Sequence, residues 1–312
     1  MIMEQRHCKC KKCGHEFDAT PKARHKLMCG DSTDPADVTR LLGGERPDFL
    51  FTSPPFNVGV QYGTSGDAYD DMDRPWEEYR DFLGKTLDAW LPHIPEGHAV
   101  GWNVGASPKT RSWAQVGLFE DRGFRVLRQM VWKKVGVPLP LWHMTLERPE
   151  ARRFTPNYVH EMVYLFLNGE APPSMEFVYL FARGETERGG PVEPDPLCEH
   201  DVFEVNQTEA RREKVLDDPT ADRGGAQSNL TSRARKAHPA IYPLRLPGMF
   251  ISHFGDVGRI VCDPFVGSGT TILAAHLLGR RGFGMEIEPS YVSLAIARWE
   301  ALTGESAVRA DD

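Results

Sequence analysis

Two short stretches carry residue types that could do chemistry together. The first is Thr52-Ser53-Pro54-Pro55-Phe56-Asn57, directly after the apolar run Asp48-Phe49-Leu50-Phe51. The run reads as a strand, which places the corner at a carboxyl end of a sheet, where α/β proteins bind ligands. Two consecutive prolines fix the backbone and remove two N–H donors, while nearby carbonyls stay available as acceptors in a rigid frame. Ser53 adds a hydroxyl and Phe56 a planar face. An acceptor pair beside an aromatic plate suits a flat, amine-bearing ring. Taken alone, Ser-Pro-Pro reads as readily as a strand-ending turn with a core phenylalanine.

The second stretch is Asp263-Pro264-Phe265-Val266-Gly267-Ser268-Gly269-Thr270-Thr271. Gly267 and Gly269 permit a tight turn and a close backbone approach. The turn opens a helix whose first amides would face a ligand. Glu286 ends the next strand, where a carboxylate can hold both ribose hydroxyls of a nucleoside. No lysine stands in the turn, which argues against a phosphate loop. Ile272 occupies the third glycine position of the dinucleotide fingerprint. A cofactor without phosphate and with a positive centre fits better, namely S-adenosyl-L-methionine. The other reading is a turn that only packs a helix on a sheet.

The elements that must position these stretches follow from periodicity. Short strands are expected at 26–29, 48–52, 98–103, 125–132 and 159–167. A helix is expected from Ala36 to Leu42, and another from Trp76 to Leu91 with Trp76, Tyr79, Leu83, Leu87 and Trp90 on one stripe. Near the end, Gly258–Cys262, the glycine turn, Thr270–Leu278, Phe283–Ile287 and Pro289–Leu302 read strand, turn, helix, strand, helix. That order implies a doubly wound, mostly parallel α/β sheet. Residues 1–24 read as a cysteine-rich appendage to one domain over 25–312, with 169–237, rich in Pro, Gly and charge, as an insertion.

Composition bounds the function. The 312 residues hold 37 Lys and Arg against 44 Asp and Glu, a net charge of −7, which excludes a globally basic protein but not a basic face. Two runs are locally basic, 122–153 and 223–245. No apolar stretch is long enough to cross a membrane, and the start lacks a secretory signal's apolar core, so a cytoplasmic protein with no membrane partner is expected. Six cysteines are too few for a disulfide scaffold. Cys8, Cys10 and Cys13, with His15, have the spacing of one zinc-ribbon knuckle. Tetrahedral zinc needs four ligands, and the second pair is missing, so structural zinc and free thiols both stay open. His25 and Cys29 have usable spacing but belong to a strand.

Thr-Ser-Pro-Pro-Phe-Asn, followed by His238-Pro239-Ala240-Ile241-Tyr242-Pro243 and then the glycine turn, resembles the DNA amino-methyltransferases, which methylate an exocyclic nitrogen of cytosine or adenine. The catalytic motif precedes the cofactor turn, the circularly permuted, β-class order. The resemblance runs from about residue 24 to residue 303 and is weakest over 169–237. It implies the S-adenosylmethionine-dependent methyltransferase fold, with a target-recognition insertion. It makes Ser53, Pro54, Pro55 and Phe56 the catalytic tetrad. Asp263, Phe265, Gly267 and Gly269 would line the methionine part of the cofactor, with Ser268 and Thr270 in the same turn. Glu286 would hold the ribose, Asp31 would lie beside the adenine, and His238 and Pro239 would close over the cofactor. Val131–Lys134 and His160-Glu161 resemble sheet segments around the target pocket.

The resemblance further implies a double-stranded DNA substrate and a base turned out of the helix. Lys133, Arg211, Arg212, Arg233 and Arg235 are the candidate DNA contacts. Ser53 at the first tetrad position leans toward N4-cytosine, and N6-adenine is the alternative. C5 chemistry is disfavoured, since no Pro-Cys pair occurs in the chain. A homodimer and a cognate restriction nuclease are conceivable partners. Rival readings are a nucleotide-dependent oxidoreductase, which leaves Ser-Pro-Pro-Phe without a role, and a DNA-binding module without catalysis.

Overall fold

The computed structural model describes residues 6–9, 16–19, 25–59, 74–105, 109–135, 160–169, 202–206, 241–254 and 258–309. Its strands are β1 (Arg6–Lys9), β2 (Glu16–Ala19), β3 (Lys26–Cys29), β4 (Phe49–Thr52), β5 (Ala99–Gly105), β6 (Phe124–Val135), β7 (His160–Asn168), β8 (Val202–Asn206), β9 (Ile260–Asp263) and β10 (Arg281–Glu286). Its α-helices are α1 (Pro35–Leu42), α2 (Trp76–Trp90), α3 (Ser112–Glu120), α4 (Arg245–Phe254), α5 (Thr270–Leu277) and α6 (Pro289–Thr303).

β1 and β2 form an antiparallel pair of their own. The other strands make one sheet in the order β3-β10-β9-β4-β5-β7-β6-β8. From β3 to β5 every pairing is parallel, and β8 runs parallel to β6. β7 is antiparallel to both β5 and β6, a reversal that no pattern in its apolar run announces. β4, β5 and β9 are buried along their whole length, as central parallel strands covered on both faces must be.

Successive side chains of β4 feed opposite layers. Leu50 packs with α1, α2 and α3, through Val38, Leu83 and Phe119 among others. Phe49 and Phe51 face the other layer, where Phe51 stacks on Phe250 of α4 at 5.1 Å and Phe49 on Phe254 at 5.2 Å. α5 joins that layer through Leu273, Ala274 and Ala275, and Trp299 of α6 packs against it. α1 starts on an Asp34 cap with Pro35 in its first turn, and stops at Gly43 in the left-handed region. The expected stripe of α2 is buried at Tyr79, Leu83, Leu87 and Trp90.

Some expectations are refined. α3 and α4 were not anticipated from periodicity. Within 169–237, residues 202–206 are an edge strand of the main sheet, so this piece belongs to the same layer as the core. Arg122, in one basic run, is committed to the fold: its guanidinium donates to both carboxylate oxygens of Asp88, at 2.7 and 2.9 Å. Arg125 donates to the Gly169 carbonyl at 3.0 Å. No described helix is long and apolar enough to cross a membrane.

Candidate active site

β3, β4, β9 and β10 are parallel neighbours, so the segments after them converge at one edge of the sheet. A cleft of about 250 Å³ opens there, walled by the proline corner, the glycine turn, Asp31 and Glu286. Two motifs more than 200 residues apart in sequence thus share one cavity.

Asp263 is what joins them. It is fully buried at the end of β9. Oδ1 accepts from the Thr52 hydroxyl at 2.6 Å and from the Phe265 amide at 3.0 Å. Oδ2 accepts from the Thr271 hydroxyl at 2.6 Å and from the Tyr242 hydroxyl at 3.3 Å. Burial raises its pKa, and these hydrogen bonds oppose the rise by favouring the charged form. Contrary to the expected cofactor contact, Asp263 is not among the residues lining the cleft. Its oxygens are consumed in tying the proline corner, the glycine turn and the 241–243 segment together. Gly269 likewise lies outside the lining. It has φ 85°, and a Cβ there would meet Ala295 Cβ of α6 at 2.8 Å, so this glycine serves the seating of α6 on α5.

Of the other expected cofactor residues, Asp31, Phe265, Gly267, Ser268, Thr270 and Glu286 line the cleft. The Asp31 Oδ1 accepts from the backbone and hydroxyl of Thr33, both at 2.8 Å. Glu286 Oε2 accepts from the Gly267 amide at 2.9 Å and Oε1 from the Glu288 amide at 3.0 Å. Burial pushes its pKa up to about 7, against the pull of those amides and with a push from the Asp263 charge. The Gly269 amide donates to the Val266 carbonyl at 2.9 Å. The turn thus spends the amides of both glycines internally, and its wall is a carboxylate. That donor set does not fit a phosphate. It fits a phosphate-free nucleoside whose hydroxyls donate to Glu286.

At the proline corner the carbonyls are sorted. Pro55 O accepts from the Tyr79 hydroxyl at 2.7 Å, and Phe56 O accepts from the Thr110 hydroxyl at 2.7 Å. The Pro54 carbonyl has no donor among the described residues. Next to it, Ser53 Oγ accepts from Asn103 Nδ2 at 3.2 Å, leaving a second lone pair. The Phe56 ring lies over Gly105, where a Cβ would come within 2.8 Å of it. Asn57 is left-handed, with φ 59°, and its amide brackets the backbone of Arg74: Nδ2 donates to the Arg74 carbonyl at 2.9 Å and the Arg74 amide donates to Oδ1 at 2.8 Å. These two bonds tie Asn57 to the backbone just before α2.

Reading the sequence missed Tyr242, Asn103, Gly105 and Asn57 as parts of this corner. Only Tyr242 and Asn57 lie inside quoted motifs, and neither carries a catalytic signature by type.

Comparison with known proteins completes the description. A profile of the N6/N4 DNA methylases matches residues 48–297, most of the chain. The chain belongs to the DNA methylase family. Among its relatives, the type II methyltransferase M.ScaI of Streptomyces caespitosus is 25% identical over 294 residues, which cover 88% of this chain and 81% of that one. The orphan methyltransferase M.BamHII of Bacillus amyloliquefaciens is 25% identical over 259 residues, 80% of this chain and 88% of that one. The solved structure of PvuII DNA methyltransferase (cytosine-N4-specific) shares the fold, with a TM-score of 0.59, 18% identity, and coverage of 91% of this chain and 95% of that one. The protein is therefore a DNA methyltransferase of the N4/N6 type, with a mixed α/β sheet shared with other members.

Other expected site residues fall outside the described residues: His238, Pro239, Arg211, Arg212, Arg233, Arg235, Cys10 and Cys13. Cys8 lies in β1 and Lys133 in β6, where its backbone pairs in register with His160 and Glu204. Among the described residues no cluster of His, Cys, Asp or Glu could hold a metal. His25 is not spare: Nδ1 accepts the Gly282 amide at 2.9 Å and Nε2 pairs with His276 Nδ1 at 3.1 Å.

Proposed function

We propose that this DNA methylase uses S-adenosyl-L-methionine to methylate the exocyclic N4 amine of a cytosine turned out of double-stranded DNA. The observation that carries the reading is the pair of open acceptors, Ser53 Oγ and the Pro54 carbonyl, beside the Phe56 ring in the cleft that Glu286 also lines.

Glu286 would hold the ribose, with Asp31 and Phe265 along the same wall. When bound, the cofactor supplies an electrophilic methyl on a sulfonium. An exocyclic amine is a poor nucleophile because its lone pair is conjugated with the ring. Ser53 Oγ and the Pro54 carbonyl each accept one of its N–H bonds, which draws nitrogen toward tetrahedral geometry and frees the lone pair. Phe56 stacks on the extruded ring. The contribution is positioning and preorganised electrostatics. The cytosine choice rests on serine at the first tetrad position, as implied by the family resemblance.

Two measurements follow. Digestion of methylated DNA to nucleosides and weighing them is expected to give N4-methylcytosine, and N6-methyladenine would move the reading to adenine. The second concerns pH. The folded pKa of Glu286 lies above its ordinary value, so the folded state holds this proton more tightly than the unfolded chain. The stabilisation is complete below the unfolded value of 4.5 and is lost as pH rises through about 7. Ribose hydroxyls prefer the ionised carboxylate, so cofactor affinity should rise over the same interval and level off above it. Calorimetric titration from pH 5 to 8 checks this. Glu286→Gln should flatten the profile and weaken binding, and an unchanged profile in that variant would remove Glu286 from the ribose.

A further inference from the structure

The described chain after β5 shows an alternation that the mechanism does not use. Thr110 and Ser112 are buried, whereas Lys109, Arg111 and Trp113 are exposed. The buried members lock the segment: Thr110 donates to the Phe56 carbonyl at 2.7 Å, and Gln115 Nε2 donates back to the Thr110 carbonyl at 2.8 Å. The Gln115 side chain also accepts from Trp102 Nε1 at 2.8 Å, in the core. Trp113, by contrast, is 63% exposed, the largest side chain among the exposed apolar residues of the described chain. Arg111 is in the left-handed region, with φ 45°, a conformation that an arginine does not favour. Its guanidinium lies 5.3 Å from the ring of Trp76, at the start of α2. Two residues before Trp76, Arg74 lines the cleft mouth.

The segment whose Thr110 holds the Phe56 carbonyl therefore carries two cations and an indole among its exposed residues. The flat face of an exposed indole accepts nucleobases without regard to sequence. Cations beside it suit a phosphate backbone. The chain's net charge of −7 makes a locally cationic rim at this place the complement of a polyanion rather than a consequence of overall charge.

We propose that Lys109, Arg111 and Trp113 form a DNA-contact rim, with the two cations on phosphates flanking the target nucleotide and the Trp113 indole against a neighbouring base. The proposal rests on the DNA-methylating reading above and adds to it a surface outside the inserted segment 169–237, where sequence recognition was expected.

The test uses the full chain and a short DNA duplex that the wild-type protein binds. The K109A/R111A double variant is expected to weaken duplex binding, read by fluorescence anisotropy, about tenfold. It should also lower the slope of log affinity against log salt by about 2, one unit for each lost phosphate contact. W113A should raise KM for DNA several-fold with kcat nearly unchanged, and W113F should recover most of the loss. S-adenosyl-L-methionine affinity should stay at the wild-type value in all three. K85A, which removes an exposed cation on α2 paired with Asp81, is the control and should leave the salt slope unchanged. An unchanged salt slope in the double variant overturns the proposal, as does a W113A protein with wild-type KM. A loss of cofactor affinity in step with DNA affinity also overturns it, since that marks a structural role. If the wild-type protein binds the duplex but transfers no methyl group to it, the failure lies with the catalytic reading, and the salt slope still reports on the rim.

Discussion

Ser53→Ala is expected to lower kcat for methyl transfer by about 100- to 1,000-fold, the range seen when one preorganised transition-state contact is removed. Affinity for S-adenosyl-L-methionine should be retained. Ser53 Oγ is placed by the Asn103 side-chain amide, which donates to it at 3.2 Å from a buried position on β5. Of the carbonyls beside it, those of Pro55 and Phe56 are already occupied by Tyr79 and Thr110. On the proposed mechanism, removing the hydroxyl leaves one acceptor where a pair draws the amine out of conjugation. Phe56→Ala in the same assay should act differently. It removes the stacking plate, roughly 1–3 kcal/mol by comparison with other base–aromatic stacks, and should appear chiefly as weaker binding of DNA. Radiolabelled methyl transfer and calorimetry with the cofactor separate the two effects. An active Ser53→Ala protein would remove the catalytic assignment, and a protein that also loses cofactor affinity would mark Ser53 as structural.

Asp263→Ala should have the largest effect on stability. The carboxylate satisfies the Thr52, Thr271 and Tyr242 hydroxyls and the Phe265 amide. Alanine leaves these donors buried around a cavity, a change of the kind that costs about 3–5 kcal/mol when a buried charged network loses its centre. That corresponds to a fall in Tm of roughly 10 °C for a chain of this size. Asp263→Asn should lose much less. Its amide can donate to the Thr271 and Tyr242 oxygens, which already share a hydrogen bond at 2.7 Å with either atom able to donate. Thermal unfolding of both variants checks the ordering. Equal Tm values for the alanine variant and the wild type would refute the view of Asp263 as the joint between the two motifs.

Much of the architecture was legible because its signals are local. The apolar runs of β4 and β9, the helical spacing of α1 and the stripe of α2 act within a few residues of themselves. α3 escaped because its apolar residues do not form the clean stripe that α2 shows. α4 carries Pro247 and Gly248, which disfavour a helix by propensity, and Phe250 and Phe254 stacking on β4 hold it in place. Helices stabilised mainly by tertiary packing leave a faint trace in sequence.

The segments that wall the cleft were visible in residue types: a proline corner with a serine, a glycine turn without lysine, and a carboxylate one strand later. Which of their residues line the cleft was not. The division of labour inside the turn, with Gly267 at the cleft and Gly269 and Asp263 turned to packing, depends on α6 and β4 lying where they do. Those neighbours sit 26 residues later and more than 200 residues earlier in the chain. The same holds for Asn103 and Gly105, which gain their meaning only when β5 pairs with β4 and brings them under Ser53 and Phe56. Local composition can specify what a segment is able to offer. Hydrogen-bond partners and close approaches between distant segments are created by folding, and they decide which of those offers remain open to a substrate.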